Sequence, residues 1–376
     1  MSKRNDREDV LIFVEDPGAA NCLAQLPAAL KQRGWQTFLV AHGLAERYLP
    51  ELGIQTDAGK SSLGALKLIE ATQPRLVLVG TSDNFDSMGL MLVAEARRAG
   101  IQTIGIVDHR MNADIRFKGR SSDPMAYAPD WLLVPDEWTK ATFVNLAYPA
   151  RQIAVCGHPY YDYVRSVRTQ LEPEDINDIR SRVLPDAVGG RKVVLFASEC
   201  AARISPLNPQ LRAGYTLTGS ADAAGRTEIA LEEFLFAIRC VTPRPYLILR
   251  LHPKDKVEYF EKYLKAFDFV SHGGLPLELI YVSDLVVGLT SMLLMEAALL
   301  GKMTLSIIPR PEEKEWVPGI ELGVTMCVTT RNQLCHCLPV MMCGDPTDPA
   351  AVLDRVIPWR ALERYVEFVE NLLCKV

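Results

Sequence analysis

Residues 284–302 read DLVVGLTSMLLMEAALLGK. The stretch opens on a short apolar block, 284–287, of the kind a strand buried on both faces requires. It passes through Gly288-Leu289-Thr290-Ser291 and becomes an apolar helix over about 292–300, ended by Gly301. A strand, a short turn and a helix in so few residues make one βα unit of a parallel sheet. Thr290 or Ser291 is a natural N-cap for that helix, and the free N–H groups of a helix start suit a phosphate. Both residues would serve equally well as plain caps. Glu296 stands alone among Met, Leu and Ala. An ionised side chain there needs a partner, for which a ribose diol, a lysine or an arginine would do.

The same reading extends outward. Upstream, Arg250-Leu251-His252-Pro253 closes an apolar run that starts at Tyr246. Pro253 stops that strand and leaves His252 at its carboxyl end. Further strands are predicted at 192–197 and 303–308, with helices at about 227–240 and 256–266. The first half repeats the alternation. Strands are predicted at 9–14, 36–41, 75–80, 102–107, 131–134 and 152–156, and helices at 19–33, 43–52, 62–72 and 86–98. Apolar strands separated by helices imply an α/β fold: two Rossmann-like doubly wound domains facing a cleft. The boundaries expected are 1–162 for a first domain, 163–358 for a second and 359–376 for a terminal helix. In such sheets ligands bind beyond the carboxyl ends of the strands, which singles out the loops 15–18, 80–86, 108–120 and 157–162. The Gly/Ser/Ala-rich stretch 199–226 reads either as short helices or as a mobile lid.

Composition bounds the function. A net charge of −5 over 376 residues gives no basic face for nucleic acid. The first ten residues, MSKRNDREDV, lack the apolar core of a leader, and the longest apolar stretches are too short to span a bilayer, so a cytoplasmic protein is expected. Peripheral membrane association stays open, because sugar acceptors are often lipid-linked. Cys335, His336, Cys337 and Cys343 have poor spacing for zinc, and buried reduced thiols are the simpler reading. Neither a Walker loop nor a GxGxxG fingerprint occurs, which disfavours ATP and NAD. With no Asp-x-Asp in a convincing place, metal-independent chemistry is expected, with no cofactor beyond the donor itself.

RLHP at 250–253 followed by 284–302 resembles the donor half of GT-B glycosyltransferases, above all the branch of bacterial sialyltransferases and CDP-glycerol-type polymerases. The junction VCGHPYYD at 155–162 resembles the linker of GT-B proteins and of UDP-GlcNAc 2-epimerases. The resemblance implies a glycosyltransferase that uses a nucleotide-activated sugar, CMP- or CDP-linked, and an unidentified glycan, lipid or protein acceptor. It implies that His252, Pro253, Thr290 and Ser291 hold the donor phosphates, that Glu296 holds the ribose, and that the terminal helix crosses back to the first domain. Ser198 follows strand 192–197 and is placed to touch the donor. Glu15-Asp16-Pro17-Gly18 resembles the acidic motif of sialyltransferases, interrupted here by a proline, which makes Asp16 a candidate base with Glu15, Gly18 and Asn21 on the acceptor side. Asp108 and His109, after the strand 102–107, compete for the base role. Each of these also has a purely structural reading, as a turn, a cap or a loop hydrogen bond. Two alternatives stand beside the transferase. One is a UDP-GlcNAc 2-epimerase-like enzyme, a family that carries D-S-G-G where this chain has L-T-S-M. The other is a nucleotide-sugar-binding protein without catalysis.

Overall fold

The computed structural model describes residues 9–374 except 58, 60–61, 187, 200–213, 221–224 and 345–347. Most of the stretch expected to be a lid therefore lies outside the described residues. Its described part, 214–220, is tied down: Thr216 donates from its amide to the Pro309 carbonyl, and Leu217 is buried.

The chain divides into two compact units. Unit 1 comprises 1–163 with 358–376, and unit 2 comprises 164–357. Each carries a six-stranded, wholly parallel sheet, which gives the chain the two-domain Rossmann-like α/β fold. Unit 1 holds β1 (Val10–Val14), β2 (Thr37–Ala41), β3 (Leu76–Gly80), β4 (Gln102–Ile106), β5 (Trp131–Val134) and β6 (Ile153–Val155), in the order β2-β1-β3-β4-β5-β6. Unit 2 holds β7 (Val193–Ala197), β8 (Tyr246–Arg250), β9 (Phe269–Ser271), β10 (Leu285–Gly288), β11 (Met303–Ile307) and β12 (Met326–Val328), in the order β12-β11-β10-β7-β8-β9.

The alternation of side chains explains why these runs are apolar throughout. Val10, Ile12 and Val14 of β1 enter one core with Leu23 and Tyr365, while Leu11 and Phe13 enter another with Leu92 and Val93. Both faces are covered, so no position on the strand tolerates a polar residue. In register, Val10 pairs with Thr37 on one side and Leu76 on the other, and Val194 pairs with Leu285 and Leu247.

The strand orders place a topological switch point in each sheet. The chain leaves β1 toward β2 on one side and returns to β3 on the other. It likewise leaves β7 toward β8 and returns to β10. Loops that diverge from two neighbouring strands open a crevice at their carboxyl ends, where ligands of such sheets bind.

Within unit 1, Gly157 and Asp162 receive the chain where it returns at Pro358. Gly157 has φ +82, and a Cβ there would lie 2.8 Å from the Pro358 carbonyl oxygen, so only glycine lets the returning chain approach. Asp162 accepts the amides of Arg360 and Ala361 at 3.0 and 2.7 Å and so caps the terminal helix Ala361–Leu373 from a distant part of the sequence. That helix buries Tyr365, Val366 and Val369 in the core of unit 1. Among the described residues, no helix is long and apolar enough to cross a membrane.

Candidate functional site

In unit 2 the switch point gathers charge. Glu199 lies two residues beyond β7, and Thr290 lies two residues beyond β10. The Glu199 carboxylate accepts the Thr290 amide and, at 3.0 Å, the Thr290 hydroxyl. It also pairs with Arg226, whose Nη2 donates to Thr290 Oγ1 at 3.1 Å. On its far side Arg226 donates to Glu313 at 2.7 Å, and Glu313, buried to 1% exposure, pairs in turn with Arg310 at 3.2 Å. Burial works against the charge of Arg226, but Glu199 and Glu313 outweigh it and hold the guanidinium above its usual range. Arg226 opens the helix Arg226–Ile238. A cation in the first turn opposes the helix dipole, and the two carboxylates supply what the dipole denies.

His252 and Ser198 form the wall beside this network. The Ser198 hydroxyl donates to Asp255 at 2.8 Å and accepts the His252 amide at 2.9 Å. It is buried, and it locks the loop after β8 to the end of β7. His252 Nδ1 accepts the Lys254 amide at 3.1 Å, which places the proton of the neutral ring on Nε2. Pro253 and Lys254 form the turn that makes this bond possible.

The loop after β10 corrects the expected capping. The helix is Leu293–Leu299, with Met292 at its N-cap and no side-chain cap bond. Thr290 is drawn off to Glu199 and Arg226, and Ser291 accepts only the Leu293 amide, at 3.2 Å. The helix has seven residues, so its start alone is a weak anion site. Glu296 is a second correction. It is buried to 7% exposure, and its Oε2 has no hydrogen-bond partner among the described residues. Rather than gaining an ion pair, the carboxyl is shifted: burial raises it to about 8, against the weaker pull of Arg250. A proton replaces the partner that an ionised Glu296 would need.

The switch point of unit 1 has a parallel construction. Asp16 follows β1 and accepts from Ser82, which follows β3, at 2.7 Å. Asp16 occupies the N-cap position of the helix Pro17–Leu23, but its side chain turns to Ser82 instead of capping. Glu15 accepts from Asn84 at 2.7 Å and from Ser87 at 2.5 Å. Ser87 caps the next helix, Met88–Arg98, through the Gly89 amide. Asn21 accepts from Tyr48 at 2.8 Å.

Behind them lies a buried polar cluster in which Asp108 and His109 join Arg116, His158 and Cys22, partners that the sequence did not bring together. Asp108 accepts from Arg116 at 2.8 Å. Burial raises its pKa, but Arg116 and the neighbouring imidazoles outweigh that, so the carboxyl ends below its ordinary range. Gly18 exists for this carboxylate: a Cβ there would lie 2.0 Å from Asp108 Oδ2. His158 packs 3.5 Å from Cys22 Sγ and stacks on Tyr161 at 4.3 Å, and burial pushes its pKa down to about 4. Burial also raises the Cys22 thiol well above its usual value, so it is no nucleophile at neutral pH. His109, 6% exposed, accepts the Met111 amide on Nδ1 at 2.9 Å. Asp108 and His109 thus belong to the buried cluster, and Asp16 to the loop in front of it. Arg226 and Glu313 carried no sequence signal beyond a cation at a helix start, because 87 residues separate them, and Arg116, eight residues from Asp108, lies in a turn-rich segment with no period to read.

No protein-family model matches the chain, and no curated protein matches it. Solved structures do. UDP-GlcNAc 2-epimerase from Neisseria meningitidis, bound to UDP-GlcNAc, superposes with TM-score 0.65 at 14% identity, covering 96% of this chain and 100% of that one. The S. aureus protein MnaA, bound to UDP, gives 0.68 at 15%, covering 98% of both chains. Anabaena HepE, in complex with UDP-glucose, gives 0.58 at 14%, covering 98% of this chain and all of that one. The likeness is one of fold, the GT-B-like arrangement of two Rossmann-like domains. The first of these neighbours carries the epimerase name, and none of the three carries that of the expected sialyltransferase or CDP-glycerol branch.

Proposed function

We propose that the chain is an enzyme acting on a nucleoside-diphosphate sugar held by unit 2, with a UDP-linked sugar as substrate and an epimerase-type reaction that needs no acceptor. The observation that carries this reading is the unit 2 switch point, where Arg226 and Thr290 converge on the Glu199 carboxylate and the helix that follows Thr290 carries the buried carboxyl of Glu296. A ribose diol would supply the partner that Glu296 Oε2 lacks, and the diphosphate would lie toward Thr290, Ser291 and His252. A protonated carboxyl can donate to one ribose hydroxyl and accept from another. The neighbours named above bind UDP, UDP-GlcNAc or UDP-glucose, which favours uridine over the cytidine nucleotide expected from sequence.

In unit 1, Asp16 is the stronger candidate for proton transfer. Asp108 is held by Arg116 below the ordinary carboxylate range, so it is a poor base near neutral pH, and His109 is buried.

One observation keeps a transferase as the second reading. Leu289-Thr290-Ser291-Met292 stands where the epimerase pattern has D-S-G-G, and for a transferase a glycan, lipid or protein acceptor is required. Incubation with UDP-GlcNAc alone, followed by proton NMR of the sugar, separates the readings. Inversion at C2 or release of the free sugar supports the epimerase type. Consumption only after an acceptor is added supports the transferase. Binding without turnover under either condition leaves a binding protein.

A further inference from the structure

Glu199 occupies donors of the kind a phosphate would use. A backbone N–H, a hydroxyl and a guanidinium converge on its carboxylate at the crevice where ligands of this sheet class bind. We propose that Glu199 is an internal stand-in for the ligand's phosphate: an anionic ligand displaces its carboxylate and takes over Thr290 and Arg226, with Arg226 as the phosphate-binding cation. The proposal rests on unit 2 being the anion-binding unit of the preceding section.

Three features support it. First, the two carboxylates on Arg226 are unequal. Glu313 is 1% exposed and also holds Arg310, whereas the Glu199 side chain is 16% exposed and borders the crevice. Glu313 therefore keeps Arg226 in place when Glu199 leaves. Second, the charges balance only while Glu199 is present. Glu199 and Glu313 face Arg226 and Arg310, and departure of Glu199 leaves one positive charge for the incoming ligand. Third, the Thr290 amide lies two residues beyond β10, at the carboxyl end of the sheet, and is a backbone donor that either anion can use. A ligand with two or more negative charges competes better for this set than a monoanion does, which makes Glu199 a selectivity device for diphosphates and phosphate dianions. The competition also reduces apparent affinity to the intrinsic value multiplied by the fraction of chains in which Glu199 has left these donors.

The test compares wild type with Glu199→Gln by calorimetric titration at fixed ionic strength, using inorganic pyrophosphate and UDP as separate probes. Gln keeps an oxygen for the Thr290 amide but lacks the competing charge. Pyrophosphate binding is expected to tighten by about three- to tenfold in the variant. Unchanged or weaker pyrophosphate binding would overturn the proposal. If Glu199→Gln does not fold, as judged by circular dichroism, Glu199→Asp decides. Its shorter reach should also tighten pyrophosphate binding, and unchanged or weaker binding would again overturn the idea. The UDP arm separates the two claims. Tighter pyrophosphate binding with no UDP binding in either protein keeps the role of Glu199 and removes the nucleotide. Equal UDP binding in both, with no tightening for pyrophosphate, does the reverse.

Discussion

The two switch points share one plan and differ in how much charge they hold. Each sets a carboxylate after the first strand against a hydroxyl after the strand beside it: Asp16 with Ser82 in unit 1, Glu199 with Thr290 in unit 2. Behind Asp16 the polar groups are packed against one another. Asp108 has Arg116, and His158 lies against Cys22 and Tyr161. Around Glu199 the network is larger, and further along the same loop and helix Glu296 keeps an oxygen without a partner. Buried polar groups in folded proteins are mostly satisfied, so this oxygen calls for an explanation, which a bound ligand would supply. The contrast is between a larger charged network at the crevice of unit 2 and a compact buried cluster in unit 1.

The titration behaviour of the two regions sharpens this contrast most strongly. Glu296 has a folded pKa of about 8, above the ordinary 4.5. Its contribution to stability is therefore complete below about pH 4.5 and is lost as pH rises through about 8. His158 is the opposite case. Its folded pKa of about 4 lies below the ordinary 6.5, so its contribution is present above that pH and is lost on acidification. Glu296→Gln should leave stability near pH 4 unchanged and raise it at pH 8, by at most about 5 kcal/mol at 1.36 kcal/mol per pH unit. Urea unfolding across that range measures the effect, and a variant curve parallel to the wild-type curve would contradict it.

Arg116→Ala tests the other side. It strands the Asp108 carboxylate, which is shielded from solvent, and loses the bond from Arg116 to Thr81. Breaking such a pair costs about 3–5 kcal/mol, and the loss should appear in the denaturant midpoint. A cost below about 1 kcal/mol would mean that water reaches the pair and that the cluster is not the closed unit described. A smaller effect, about 1–3 kcal/mol, is expected for Gly18→Ala, whose new Cβ must push Asp108 Oδ2 away. Recovery of stability in the double variant with Asp108→Asn, measured as a coupling energy, would place the strain at that contact.

How much of this was legible in the sequence follows from chain length and reach. The long apolar strands were readable because both sheet faces are buried, which removes every polar residue from β1, β3 and β7. The three-residue strands β9 and β12 are too short to carry a period, and they went unseen. The helix expected over 19–33 is two helices, Pro17–Leu23 and Leu26–Gln32, the second with Pro27 in its first turn, where proline is tolerated. The segment predicted as a helix over 256–266 forms a 3₁₀ run, Val257–Ala266. His252, Thr290 and Glu296 were identifiable because each departs from an apolar context. The Arg226–Glu313 pair spans 87 residues, and no local pattern announces it. Glu296 was read as a charge in need of a partner, yet burial resolved the conflict by raising its pKa.

Binding of a nucleoside diphosphate by unit 2 through Thr290 and Glu296 is tested most directly by a calorimetric titration of UDP into wild type and Glu296→Leu, which removes the donor and the acceptor that a protonated carboxyl offers a ribose diol. Saturable one-to-one binding to the wild type, weakened about tenfold or more in a variant shown to be folded by circular dichroism, is the predicted result. Equal UDP affinity in the two proteins, or no binding to either, would contradict it.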